Sequence, residues 1–203
     1  MASTNKTANI GLNQWVLTDP FLMEDMNADN RKIDAAVGSI SFVKLMDVTT
    51  SANAVQVDID LSGIDFTKYA RIEIFAAAEV TPLSTAQYLY ARLNYADIYI
   101  RTPEYSNMSL VNYLGYVYTN TSVGTMSKFD IEISGFPETL ANQYMTHIRT
   151  HGISCYNNPC LHDYIGCKLF AANTKPDVLS FVTEKSNVSI KAGARFEIYG
   201  VRK

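Results

Sequence analysis

Residues 55–61 have the sequence Val-Gln-Val-Asp-Ile-Asp-Leu, in which apolar and polar side chains alternate without interruption. Successive side chains of a β-strand point to opposite faces of the sheet, so this period of two predicts a strand with one buried face. The apolar side of such a strand needs a second apolar layer to cover it. The stretch therefore indicates a β-protein built from packed sheets.

The same alternation recurs through the rest of the chain. It is clearest at residues 71–74, 88–93, 97–101, 128–133 and 195–198. Weaker segments are further strand candidates, at 41–48, 113–118, 144–150, 165–171, 178–183 and 187–191. About a dozen short, half-buried strands are typical of two antiparallel sheets packed face to face. We expect an all-β domain, an antiparallel β-sandwich or jelly roll, over residues 39–203.

Residues 1–38 follow a different pattern. The opening half of this segment is small and polar and shows neither a helical nor a strand period, which predicts an extended arm. A helix is expected next, because Thr18 or Asp19 can cap it and Pro20 suits its first position. Gly38 is a suitable end for this helix. We therefore predict an arm and one short helix as a separate part of the chain.

The predicted arm and helix carry too few apolar residues for a core of their own. The apolar stripe of the helix is thin, because Asn27, Asp29 and Asn30 interrupt it. A weakly amphipathic helix needs a surface to pack on. We predict that one set of apolar side chains anchors this segment to a partner: Ile10, Leu12, Trp15, Phe21, Leu22, Met26 and Ile33. For Trp15, packing within its own arm is the alternative.

The composition is that of a folded protein. Hydrophobic residues make up 47% of the 203 residues and charged residues 18%, which excludes a charged disordered chain. The net charge is −3 and the longest basic cluster is Arg31-Lys32, so we expect no nucleic-acid partner. No apolar run approaches the roughly 18 residues of a membrane span and no signal peptide is recognisable, so we expect synthesis in a cytoplasm and no membrane partner.

Four short motifs stand out near the N-terminus. They are Asn-Lys-Thr at 5–7, Leu-Asn-Gln-Trp at 12–15, Asp-Pro-Phe at 19–21 and Met-Asn-Ala-Asp-Asn-Arg-Lys-Ile-Asp at 26–34. Together they resemble the N-termini of tail proteins from phages and prophages of Gram-positive gut bacteria. The closing segment 193–203, Gly-Ala-Arg-Phe-Glu-Ile-Tyr-Gly-Val-Arg-Lys, is similar to the last strand of many phage tail and receptor-binding domains.

The resemblance implies a structural component of a virion, a tail fibre or baseplate protein made in the host bacterial cytoplasm. Its N-terminal segment would attach to other tail or baseplate subunits, and its β-sandwich would be displayed for adhesion to the host surface, with carbohydrate as the expected receptor. By analogy with tail-fibre tips, the chain is expected to be a homotrimer. The alternatives are a purely structural tail or capsid decoration protein and a polysaccharide depolymerase.

Tyrosines are concentrated in one region, since eight of the thirteen lie between residues 88 and 118. Tyr88, Tyr90 and Arg92 alternate with apolar residues, so they are expected to point away from the first core. Tyr99 lies on the next predicted strand. Tyrosine rings can stack on sugars while their hydroxyl groups form hydrogen bonds, which predicts a carbohydrate site at these four residues. A subunit interface and ordinary sheet packing are the alternatives.

All three histidines and all three cysteines fall within 21 residues. These possible metal ligands are His147, His151, Cys155, Cys160, His162 and Cys167. Imidazole and thiolate groups so close in sequence could hold one structural zinc ion in a tetrahedral site. In the alternative, the histidines lie on the surface and the thiols are buried, with Cys167 pointing inward beside Ile165 and Leu169. We expect no other cofactor.

The sequence contains no recognised catalytic motif. A nucleophile elbow, an H-E-x-x-H zinc motif, a P-loop and a dinucleotide-binding fingerprint are all missing. Asp58 and Asp60 share one face of a predicted strand, but two acids on a solvated strand face are ordinary. We therefore predict that the protein is not an enzyme.

Overall fold

The computed structural model describes residues 5–39, 42–81, 87–94, 98–101, 109–119, 126–155 and 159–203. The chain divides into two compact units. The N-terminal unit comprises Met1–Phe42 together with Arg202–Lys203, and the β-unit comprises Val43–Val201. Sequence patterning placed the corresponding boundary at residue 38.

The described residues form sixteen strands, one α-helix (α1, Met23–Ser39) and one short 3-10 helix (Phe66–Lys68). The strands of the first half are β1 Asn5–Lys6, β2 Asn13–Gln14, β3 Phe42–Thr49, β4 Gln56–Asp60, β5 Tyr69–Ala78, β6 Val80–Thr81, β7 Gln87–Leu93 and β8 Ile98–Arg101. Those of the second half are β9 Ser109–Val111, β10 Gly115–Thr119, β11 Ser127–Ser134, β12 Tyr144–Cys155, β13 Pro159–Phe170, β14 Val178–Thr183, β15 Ser189–Ile190 and β16 Arg195–Arg202.

Two antiparallel sheets make up the body of the β-unit. The larger has eight strands in the order β3-β16-β5-β11-β12-β13-β8-β9, and the smaller has four in the order β10-β7-β14-β4. The pairs β1–β2 and β6–β15 form two small additional sheets. The predicted all-β antiparallel sandwich is therefore confirmed.

The core lies between the two sheets. Phe181 of the smaller sheet packs on Phe129 and Phe196 of the larger one, with ring centroids 5.5 and 4.7 Å apart. Val57, Ile59 and Leu61 are buried beside them, as the alternation at residues 55–61 predicts, whereas Val55 at the start of this stretch is exposed. Burying such side chains contributes about 1.5–3 kcal/mol each, so this apolar layer is the main source of stability.

Glycine allows one close approach between the sheets. Gly152 of β12 lies directly beneath Val117 of β10, and a β-carbon at Gly152 would overlap the Val117 side chain. Gly115 lies near Thr150 in the same way, because a β-carbon there would be 2.8 Å from the Thr150 Cγ2 atom. Strand β10 therefore packs almost directly on β12, which sets the position of the tyrosine-rich region.

The helix begins later than predicted. Asp19 does not cap it, because its carboxylate accepts a hydrogen bond from the Val16 amide in a separate turn. The first helical bonds instead run from the amides of Asp25 and Met26 to the carbonyl of Leu22. The helix also continues through Gly38 to Ser39. Pro20 therefore lies in the turn that precedes the helix, and α1 contributes the only α-helix among the described residues.

The largest difference in the sandwich concerns β12 and β13. Sequence patterning placed a loop from Cys155 to His162, whereas the two strands continue to Cys155 and from Pro159, so that they form one long hairpin. Residues 156–158 of the expected loop lie outside the described residues. Strands β6 and β9 were not predicted, because each has only two or three residues and shows no period.

Candidate interaction surfaces

Polar contacts hold the N-terminal arm to its helix. The backbone amide and side-chain amide of Asn13 both donate to the Asp29 carboxylate, at 2.8 and 2.9 Å. The Lys32 ammonium donates to the Gly11 carbonyl at 2.6 Å. Partial desolvation opposes ionisation of Asp29, but the hydrogen bonds from Asn13 and Lys32 outweigh it and lower its pKa. The arm is therefore held by its own helix within the N-terminal unit.

An apolar groove lies between this arm and α1. It encloses about 490 Å³, and Ile10, Leu12, Ile33 and Val37 supply most of its apolar lining. Three of these four are predicted anchoring residues. The groove is open to solvent and therefore offers a place for an apolar side chain of another molecule.

The remaining apolar residues of the N-terminal unit are not buried. Trp15 packs edge-on against Phe21, with the ring centroids 5.3 Å apart. Trp15 therefore packs within its own segment, which was the alternative to an anchoring role. Phe21 remains 64% exposed and Leu17 is fully exposed. The two other predicted anchoring residues, Leu22 and Met26, are also exposed. Among the described residues of this unit, no large apolar side chain is buried.

Tyrosines build a second, smaller core. Tyr116 is buried and forms ring contacts of 4.8–5.8 Å with Tyr88, Tyr90 and Tyr113. Tyr164 is fully buried beneath them and donates a hydrogen bond to the Tyr116 carbonyl at 3.0 Å. Burial raises the pKa of Tyr164 far above its ordinary value. These rings therefore stabilise the end of the sandwich, although Tyr88 and Tyr90 keep part of their surface exposed.

The structure divides the four predicted carbohydrate-binding residues. Arg92 lies over the ring of Tyr90, with its guanidinium carbon 5.6 Å from the ring centroid, and Tyr88 is adjacent. The Arg92 Nε atom is buried and has no hydrogen-bond partner among the described residues. Tyr99 does not join this group, because it lies on the other side of the large sheet next to Leu110.

The predicted metal ligands are also divided, and the expectation of one site was wrong for His162. His147 and His151 lie on the face of the large sheet that points away from the core, which we call the outer face. His162 has the opposite parity on β13, so it points inward, where its ring stacks on Tyr164. One ion cannot reach ligands on both faces. The side chains of Cys155 and Cys160 lie outside the described residues.

Among the predicted ligands whose side chains are described, one pair comes together. His147 and Cys167 are directly opposite each other on β12 and β13. His151 instead lies beside Asp163, with the Nδ1 atom 3.4 Å from a carboxylate oxygen. Within the described ranges no three potential ligands form a metal-binding group. A zinc ion needs about four ligands, so this pair alone does not form a site.

On strand β13 the outer face is more apolar than the inner face, which reverses the expected orientation. Cys167, Ile165 and Leu169 were predicted to point inward, but Ile165 and Leu169 are exposed. The alternation itself was correct, because these residues share one face. The other parity, which carries Lys168 and Thr146, is buried instead. Sequence patterning therefore missed an exposed apolar surface.

Ion pairs join the edge strand β3 to its neighbour β16. Lys44 lies 2.6 Å from both Asp47 and Glu197, and Arg195 contacts the same two carboxylates at 3.1 and 2.9 Å. Hydrogen bonds from Arg195 and Lys44 lower the pKa of Asp47 to about 2. The network is exposed, so it contributes modestly to stability, but it covers a sheet edge with charge.

No protein-family model, curated protein or solved structure matches this chain. In the part of the chain that the structure describes, no helix is both long enough and apolar enough to cross a membrane.

Proposed function

We propose that this protein is a structural component of a phage-tail-type particle, which attaches through its N-terminal unit and displays its β-sandwich. The observation that supports attachment is the apolar surface of the N-terminal unit. Its arm is ordered by Asn13 and Asp29, yet its described apolar side chains remain exposed or half-buried. An ordered apolar surface can bind with less loss of conformational entropy than a disordered segment.

Incorporation into particles tests this proposal. A phage or prophage that lacks its own copy of the gene is complemented with the full chain, and the protein in purified particles is quantified. Phe21→Asp with Val37→Asp should lower incorporation at least about tenfold, because charges cannot enter an apolar interface. Both side chains are exposed, so the variant should fold. The matched control is Val55→Asp, an exposed apolar position on the β-unit.

A truncated chain supplies a second readout. Deletion of residues 2–37 removes the arm and nearly all of α1 but leaves the sandwich core intact. We expect the truncated protein to fold, by circular dichroism, and to be missing from particles. Normal incorporation of the truncated chain would show that attachment occurs elsewhere.

We also propose that the displayed sandwich binds host-surface carbohydrate weakly, with several copies on one particle raising the overall affinity. Arg92 favours this role, because its guanidinium group lies over the ring of Tyr90 and both side chains are partly exposed, which places a hydrogen-bond donor beside an aromatic face. A purely structural decoration protein would lack this binding. Retention of the purified chain on host cell-wall polysaccharide distinguishes the two.

The Arg92→Ala variant should lose most of that retention, whereas Arg31→Ala on helix α1 should not. Circular dichroism should establish that both variants fold, since Arg92 also packs on Tyr90. If the polysaccharide does not retain the wild-type chain, the proposal of adhesion is wrong, and the role of a structural decoration protein remains. Release of reducing ends from the polysaccharide would instead indicate a depolymerase.

A further inference from the structure

We propose that a second copy of this chain docks on the outer face of the β12–β13 hairpin, related to the first by a two-fold axis along the hairpin between its strands. The inference concerns the β-unit alone and is independent of how the N-terminal unit attaches. It accounts for the apolar surface that the hairpin directs away from the core.

The first step is the size of the apolar surface. Seven apolar side chains lie on the outer face in two clusters. Met145, Ile165, Leu169, Tyr99 and Leu110 form the larger cluster, and the row of His151 and Asp163 separates it from Ile153 and Leu161. Their exposed fractions range from 42% to 71%. Together the two clusters expose roughly 700 Å², close to the about 800 Å² that each partner of a standard interface buries.

The second step is the register of the hairpin. A two-fold axis between β12 and β13 places each outer-face residue over the copy of its own cross-strand neighbour. Leu161 is opposite Ile153 and Leu169 is opposite Met145, so both ends of the hairpin bring apolar side chains against apolar side chains. The face is therefore complementary to itself under this operation.

The charged residues in the middle of the hairpin are also placed over the copies of their cross-strand neighbours. Asp163 is the cross-strand neighbour of His151, so the axis places each over the other residue of the second copy. Ile165 is the neighbour of Arg149, so its side chain would meet the aliphatic part of that arginine. The axis thus places no pair of like charges together within the hairpin.

The flanking strands supply a further charge match. The same axis places β8 over β11 of the second copy, so that Arg101 lies over Glu132. In its own sheet Glu132 lies between Glu73 of β5 and Arg149 of β12, and Glu73 is paired with Arg71 at 2.6 Å. Glu73, Asp130 and Glu132 border a depression of about 150 Å³, and Arg149 and His151 line its other side, so three carboxylates face two basic side chains there. Arg101 forms no ion pair with any described residue of its own chain.

This match favours a second copy over an unrelated partner, because one face supplies the apolar ends, the cation and the carboxylates. Packed sheets are rotated by roughly 30° through their twist, which displaces the ends of the hairpin more than its middle. The row of Arg101, Ile165, Arg149 and Glu132 lies at the middle. The charge match is therefore the part of the interface least affected by the twist.

Sedimentation equilibrium of the purified full chain tests the inference. At about 50 μM we expect a mass twice the monomer's 22.6 kDa. Leu161→Asp with Leu169→Asp should weaken the dimer at least about tenfold. Val55→Asp, an exposed apolar position away from this face, should leave the dissociation constant within about twofold.

A charge reversal then tests the register. Arg101→Glu alone should weaken the dimer about tenfold, and adding Glu132→Arg should restore most of the loss, because the swapped pair meets again across the axis. A wild-type monomer at this concentration, a dimer insensitive to the leucine changes, or no restoration would each overturn the inference. This inference replaces the homotrimer expected by analogy with tail-fibre tips, and a trimer would overturn it, since a two-fold contact closes at two copies. None of these outcomes depends on particle incorporation.

Discussion

Asp29 on helix α1 accepts two hydrogen bonds from Asn13 of the N-terminal arm, one from the backbone amide and one from the side-chain amide. This pairing connects residues sixteen positions apart and orders an arm in which none of the apolar residues from position 5 onward is buried. The N-terminal unit therefore presents its apolar side chains in a fixed arrangement before it meets a partner. Such preorganisation lowers the entropic cost of docking.

The first prediction is that Asp29→Ala releases the arm without unfolding the β-unit. The backbone amide of Asn13 loses its acceptor and the side-chain amide keeps only its 3.4 Å contact to the Asp25 carbonyl. Hydrogen exchange at residues 5–14 should therefore accelerate at least about tenfold. The unfolding temperature of the sandwich should not change. Asp34→Ala on the exposed side of the same helix is the matched control. Equal exchange in the Asp29 and Asp34 variants would show that the pairing does not hold the arm.

The second prediction concerns Gly152. A β-carbon at this position overlaps the Val117 side chain, so Gly152→Ala should destabilise the β-unit by about 1–3 kcal/mol in denaturant unfolding. Gly63→Ala is the control, because a β-carbon there meets nothing within 4 Å. Adding Val117→Ala to the Gly152 variant removes the overlap and should recover part of the loss. Additive effects of the two changes would contradict the close approach.

The third prediction is a pH dependence that arises from Asp47. Its pKa is lowered to about 2 in the folded state, from 3.8. A carboxyl group of this kind favours the folded state above its ordinary pKa, and that contribution is lost as the pH falls through the folded value. Between about pH 4 and pH 2, the unfolding temperature should fall less for Asp47→Asn than for the wild type. Glu138→Gln in an exposed loop should behave as the wild type, and identical profiles for all three proteins would refute the network.

The fourth prediction concerns metal. His162 lies on the opposite face of the sheet from His147, which leaves His147 and Cys167 as the one adjacent pair of described ligands. We expect less than about one tenth of an equivalent of zinc in protein purified without chelator. Stoichiometric zinc that is lost in a His147→Ala variant would show that ligands beyond this pair complete a site.

Alternation determined much of the sandwich in advance. The strand at residues 178–183 has the predicted bounds, and Ile131 and Ile133 point inward as their period requires. A period of two assigns residues to two faces but does not say which face meets the core. For β13 the more apolar set, with Leu161 and Leu169, is exposed, and no local feature of the sequence distinguishes that arrangement from its reverse.

The candidate sites were less predictable, because they depend on contacts distant in sequence. The short spacing of His147, His151 and His162 in the sequence suggested one site. The register of β12 and β13 places His162 on the opposite face of the sheet from the other two. The pairing of Asn13 with Asp29 has no sequence signature. Phe21, Leu22 and Met26 were in the predicted set, because a thin stripe leaves apolar area with nothing to cover it, whereas the exposed Leu17 and Val37 were not.

The most direct test of the account is a cryo-electron microscopy reconstruction of the parent particle with this chain located in it. We expect Leu17, Phe21 and Val37 to be buried against a neighbouring subunit while the β-unit projects from the particle. A reconstruction in which these side chains face solvent, or in which the chain attaches through its sandwich, would contradict attachment by the N-terminal unit.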